Sequence, residues 1–205
     1  MSTPFLDQLK ADTRPVSPLR PAWQYALGAT LISLLIVALG IRVMGTKGWH
    51  SLDTIAWALL LPGLALTLFG SSWAAAQWMS PTGRATLHMA LAGYAVGLGG
   101  LFYAGESGSF NPWLAFKCFL IATPFVAVTA LGSFFLLRRS FGPRSNSTAH
   151  AAGLLSGTVG FLVVQIFCPI KELGHLLAGH GILPFFWGFL AYSTVKLSYS
   201  LKSRL

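Results

Sequence analysis

The chain reads as an all-α integral membrane protein, a bundle of six transmembrane helices with both termini cytoplasmic. Three features lead there. Of its 205 residues, 54% are apolar and only 9% charged, whereas roughly a quarter of the residues of a soluble domain carry charge. The few charges are spaced so that windows of about 20 apolar residues, the length a spanning helix needs, lie between them. The 14 Lys and Arg residues also fall unequally on alternate connections.

No charge occurs from Pro21 to Ile41, Thr54 to Gly83, Ala85 to Gly105, Cys118 to Leu137, or Ser145 to Ile170. A sixth window, Leu173 to Val195, is interrupted only by His175 and His180. The expected spans are 22–43, 55–78, 85–105, 116–137, 149–168 and 181–200, preceded by a cytoplasmic tail, 1–21. The tail carries Asp7, Lys10, Asp12, Arg14 and Arg20 and no apolar stretch before a small-residue cleavage site, so the first span is expected to remain as an anchor. "TKGWHSLD" joins spans one and two; "SPTG", with Pro81 and Gly83 suited to a turn, joins two and three. "ESGSFNP" and "SFGPRSNS" make the next two connections. The last is the polar stretch "QIFCPIKELGHLLAGHGILP", Gln165 to Pro184.

Orientation follows from the cations. Lys10, Arg14, Arg20, Arg84, Arg138, Arg139, Arg144, Lys196, Lys202 and Arg204 fall on one side, and Arg42, Lys47, Lys117 and Lys171 on the other. The positive-inside rule makes the first side cytoplasmic. The net charge of +9 therefore reports topology and contact with anionic lipid, and no direct binding of nucleic acid is expected.

Within the spans, Gly93/Gly97 and Gly153/Gly157 set small residues four apart, which permits close helix approach, more readily inside the bundle than between chains. Pro62 and Pro124 fall inside spans two and four. Trp49, Trp57, Trp78, Trp113, Tyr103 and Trp187 gather near span ends, as an aromatic belt does.

Chemistry-bearing residues are few. Asp53, Glu106 and Glu172 all lie at or beyond span ends, so the mid-membrane acids of a proton-coupled transporter are missing. No HExxH, Gly-rich phosphate loop or CxxC occurs, and no catalytic residues are assigned. Cys118, near the start of span four, and Cys168, at the end of span five, come to the same outer rim. In an oxidising compartment such a pair can form a disulfide; buried, each behaves as a small hydrophobe. His175, His180 and Glu172 follow Cys168 as candidate accessory metal ligands, since thiolate with imidazole suits zinc, copper or cadmium. Glu172 and His175 share a helix face, but His175 and His180 would stand about 140° apart on an α-helix unless Gly179 and Gly181 break it. His50 lies on the same side; His88 and His150 do not. In the tail, Thr3-Pro4 resembles a helix start and puts Phe5, Leu6 and Leu9 on one side of a short turn, ahead of Asp12, Arg14 and three prolines. Such a segment suits either a cytoplasmic partner or an anionic lipid surface.

The tail "LKADTRPVSPLRP", the "KCFLIATP" start of span four, the "LLRRSFGPRSNSTAHAAGLLSG" turn and "FCPIKELGHLLAGH", in this order and spacing, extend over nearly the whole chain. In them the chain resembles the NrsF-type family of bacterial six-span inner-membrane anti-sigma factors. The resemblance implies an ECF sigma factor as cytoplasmic partner, with Phe5, Leu6, Leu9, Asp12 and Arg14 as candidates to bind it. It also implies an outer-side cysteine pair, Cys118 and Cys168, that responds to heavy metal or oxidative stress. No resident cofactor is implied, only a transient heavy-metal ion at the pair. Members often have His immediately before the second Cys-Pro, where this chain has Phe167. The alternative from another class is a membrane thiol-disulfide oxidoreductase using the same two cysteines.

Overall fold

The computed structural model describes residues 21–77, 87–137 and 145–202, and all the structure among them is helical apart from one isolated backbone bridge. The helices are α1 (Ala22–Met44), α2 (Thr54–Gln77), α3 (His88–Ala104), α4 (Pro112–Leu137), α5 (Ser145–Phe167), a short α6 (Leu173–His175) and α7 (Leu183–Lys202). A π-helical segment, Leu176–Gly181, joins α6 to α7. The tail residues Phe5, Leu6, Leu9, Asp12 and Arg14 lie outside the described residues, as do Arg84, Arg138, Arg139 and Arg144.

Five stretches are long and apolar enough to cross a membrane, the last running from Leu173 to Leu197 through the π-helical segment. They fit a multi-pass membrane protein. The described part of α3, His88–Ala104, has 17 residues and is not among the five. Two helices, α4 by four residues and α2 by one, start ahead of the expected spans where polar residues cap them. Asn111 accepts from Trp113 N and Leu114 N (3.0 and 3.3 Å) ahead of Pro112, the first residue of α4. Asp53 accepts from Ala56 N at 2.7 Å at the head of α2. A side-chain oxygen there satisfies amides that have no partner within the helix.

The side chains are sorted as a lipid solvent demands. On α1, Leu27, Leu31, Leu34, Leu35 and Leu39 face outwards, while Ala26, Ala29, Ser33 and Gly40 face the bundle. Bundle-facing hydroxyls bond along their own helices: Ser33 donates to Ala29 O, Thr67 to Gly63 O and Thr158 to Leu154 O, at 2.8 Å each. Helix α5 is central: 83% of its apolar stretch is buried, against 28% in α1 and 22% in α4. It packs on α1, α2, α4 and α7.

Both glycine pairs serve contacts within the chain. A methyl at Gly157 would stand 2.5 Å from Leu183 O, and one at Gly93 would stand 2.6 Å from Gly63 O. With no Cβ, α5 meets α7 and α2 meets α3 backbone to backbone. The aromatic belt is only partly as expected. Trp113 and Trp49 are exposed, but Trp57 is buried, stacked on Trp49 at 4.4 Å and donating its indole N–H to Trp49 O at 2.9 Å. A buried Trp needs such an acceptor, and the α1–α2 loop supplies it.

Candidate functional site

The loops at one end of the bundle converge on the end of α5. Cys168 N still bonds to Val164 O at 2.7 Å, and Pro169, which lacks an N–H, stops the helix there. From the α1–α2 loop, Gly48 N and Trp49 N donate to Phe167 O and Ile166 O (3.1 and 3.0 Å), satisfying terminal carbonyls of α5. The chain then runs extended to Glu172, held by the α3–α4 loop. Glu106 N donates to Lys171 O (2.9 Å) and Leu173 N to Glu106 O (3.1 Å). An exposed ion pair, Lys171 to Glu106 at 3.4 Å, adds little to this.

Glu172 begins the re-entrant turn. Its Oε1 accepts from Gly174 N at 2.8 Å and its Oε2 from His175 N at 2.9 Å, so the carboxylate caps α6 and fixes the backbone of His175. The following segment is π-helical, with Ile182 N bonded to Leu177 O five residues back at 2.9 Å. This wider repeat brings residues five apart much closer in angle than an α-helix does. His175 and His180, which an α-helix would turn apart, therefore lie on one face with ring centroids 5.1 Å apart. Gly179 allows the segment to approach α4, since a methyl there would meet Ala115 O at 3.2 Å and Cys118 Cβ at 3.5 Å. The Tyr94 hydroxyl of α3 donates to Gly181 O and anchors the far end.

Four side chains meet in the resulting space. Cys118 Sγ lies 3.6 Å from Cys168 Sγ, and His175 Nε2 lies 3.5 Å from the first and 3.3 Å from the second. His180 completes the group, with one donor atom from each residue within 4.8 Å of the others. All four are buried; the cysteines, 6% and 3% exposed, are free thiols. Behind them His180 Nδ1 donates to Gln165 Oε1 at 2.8 Å. The amide oxygen can only accept, so Nδ1 carries the proton and Nε2 keeps its lone pair. That Nε2 is buried with no hydrogen-bond partner, as are His175 Nδ1 and Gln165 Nε2.

Of the residues singled out from sequence, the structure thus brings together Cys118, Cys168, His175 and His180. Glu172 is placed differently: it lies outside that group of four, and both its oxygens accept from backbone amides, orienting His175. His50 is exposed on the loop and outside the group. Sequence reasoning missed the roles of Gln165 and Gly48. A polar Gln three residues before Cys168 was the available signal for the first; nothing in the sequence marks the second.

Two thiols and two imidazoles in an apolar setting can do two things. They can bind a borderline or soft cation, or the adjacent thiols can lose two protons and two electrons to an oxidant and join. Comparison with family models, curated proteins and solved structures finds no match to this chain.

Proposed function

We propose that this protein is an NrsF-type membrane anti-sigma factor. It crosses the bacterial inner membrane six times, with α3 as the third span and both termini cytoplasmic. The tail residues Phe5, Leu6, Leu9, Asp12 and Arg14 hold an ECF sigma factor away from RNA polymerase. Heavy metal or oxidation at Cys118 and Cys168 shifts α4 against α5 and releases it. The observation that supports this reading is the convergence of two cysteines fifty positions apart in sequence, 3.6 Å from each other at one end of the bundle. A thiol oxidoreductase fits less well, because sulfurs this deeply buried suit a stoichiometric signal better than turnover with a thiol substrate.

Release requires that signal and sigma factor favour different conformations of the chain. The test co-expresses the full chain with a candidate ECF sigma factor and measures sigma factor in the membrane fraction before and after cadmium or oxidant stress. Wild type loses the sigma factor under stress, and Cys118→Ser/Cys168→Ser retains it. Unchanged release from the double variant, or no retention by wild type at rest, refutes the proposal.

A further inference from the structure

We propose that Cys118, Cys168, His175 and His180 form a complete four-coordinate seat for one divalent d10 cation of the zinc and cadmium class, with Gln165 as the positioning residue behind it. This deepens the proposed sensor by naming its ligand, and it is tested without any sigma factor, so the two can fail separately.

Geometry comes first. With bonds of about 2.3 Å to thiolate and about 2.05 Å to imidazole, a tetrahedron has edges of about 3.8 Å between sulfurs and about 3.6 Å between sulfur and nitrogen. The corresponding distances here are 3.6 Å for the sulfurs and 3.5 and 3.3 Å for His175 Nε2 to each. Three corners are therefore set to within a few tenths of an ångström. His180, within 4.8 Å of the others, closes the fourth by moving about 1 Å. The unpartnered Nε2 of His180, on a fully buried ring, gains the partner it lacks.

Charge decides the class of ion. An uncompensated charge in an apolar interior is costly, and the described structure puts no acid or base other than these four residues in the cluster. Binding a divalent ion here releases two protons: M2+ plus two thiols and two neutral imidazoles gives a neutral M(Cys)2(His)2 centre and two H+. No electrons move. A monovalent ion on the same two thiolates leaves a buried net negative charge, which disfavours copper(I). With its carboxylate tied to the α6 amides, Glu172 does not add the surplus charge that a fifth, acidic ligand would bring.

The hydrogen bond from His180 Nδ1 to Gln165 Oε1 holds the tautomer that leaves Nε2 free for metal. Outer partners of this kind commonly change metal affinity by about 10–100-fold. His175 has no such partner on Nδ1, so the outer control of this centre falls on Gln165.

The experiment titrates the full-length chain in detergent micelles with Co(II), then displaces it with Zn(II). Wild type should take one Co(II) per chain. It should show the intense visible bands of tetrahedral cobalt with sulfur-to-metal charge transfer, and release two protons per ion in weak buffer. His180→Ala and Gln165→Leu should each weaken binding at least about 10-fold, and Gln165→Glu, which keeps an acceptor for Nδ1, should restore it. A pale octahedral spectrum, fewer than two protons per ion, or unchanged affinity in His180→Ala overturns the proposal. The wild-type spectrum and proton count do not depend on any variant folding.

Discussion

Replacing Gly48 by Ala tests how the end of α5 is held beside the cluster. Gly48 is not required for its backbone conformation, since the only positive φ among the described residues belongs to Gly45. Its need is space: a methyl would stand 2.4 Å from Cys168 O, 2.5 Å from Gln165 O and 2.8 Å from Cys168 N. Ordinary contact begins near 3.4 Å, so the loop must withdraw by about 1 Å. Withdrawal breaks the bonds from Gly48 N and Trp49 N to the end of α5. At about 1 kcal/mol net for each, plus the cost of leaving buried carbonyls unpaired, the loss comes to about 2–4 kcal/mol. The assay is reversible unfolding in mixed micelles, with alkylation of Cys168 in a Cys118→Ser background as a second readout. Gly48→Ala should be destabilised and its Cys168 should label faster. The control is Gly99→Ala on the exposed side of α3, where a methyl meets nothing within 4 Å and should stabilise by up to about 1 kcal/mol. The reasoning is refuted if Gly48→Ala stays within about 0.5 kcal/mol of its parent, the range of neutral surface changes, with labelling unchanged.

Two further outcomes follow from the packing. Glu172→Ala removes the cap of α6 and should cost about 1–2 kcal/mol locally, seen as faster hydrogen exchange at the Gly174 and His175 amides; protection equal to wild type counts against the cap. Gly157→Leu drives a side chain into Leu183 and Pro184 and should destabilise by about 3 kcal/mol without altering the mass of the detergent-solubilised particle. A change in oligomeric state instead would place that glycine pair between chains.

Much of the bundle was legible in the sequence because charge is so costly in lipid that its absence marks helices directly. The edges were not: capped by Asn111, α4 starts at Pro112, ahead of the charge-free window that begins at Cys118. The depth of Cys118 and Cys168 could be read from where they fall in neighbouring spans. The histidines could not be placed, because the inference used the α-helical repeat and the segment is π-helical. Gly179 and Gly181 signalled a break but not its form. Glu172 illustrates the same limit: a carboxylate three residues from a histidine reads equally as a ligand or a cap, and only the amide geometry decides.

The central position of α5 has a mechanical consequence. Its glycine contact with α7, at Gly157, lies 11 residues from Cys168 and 12 from Ser145, about 17 and 18 Å along the axis. Close packing makes such a helix behave as a stiff rod, and a rod pivoting near its middle moves its two ends by similar amounts in opposite directions. If α5 pivots at that contact, a displacement of about 1 Å at Cys168 moves its other end, near Ser145, by a similar amount in the opposite direction.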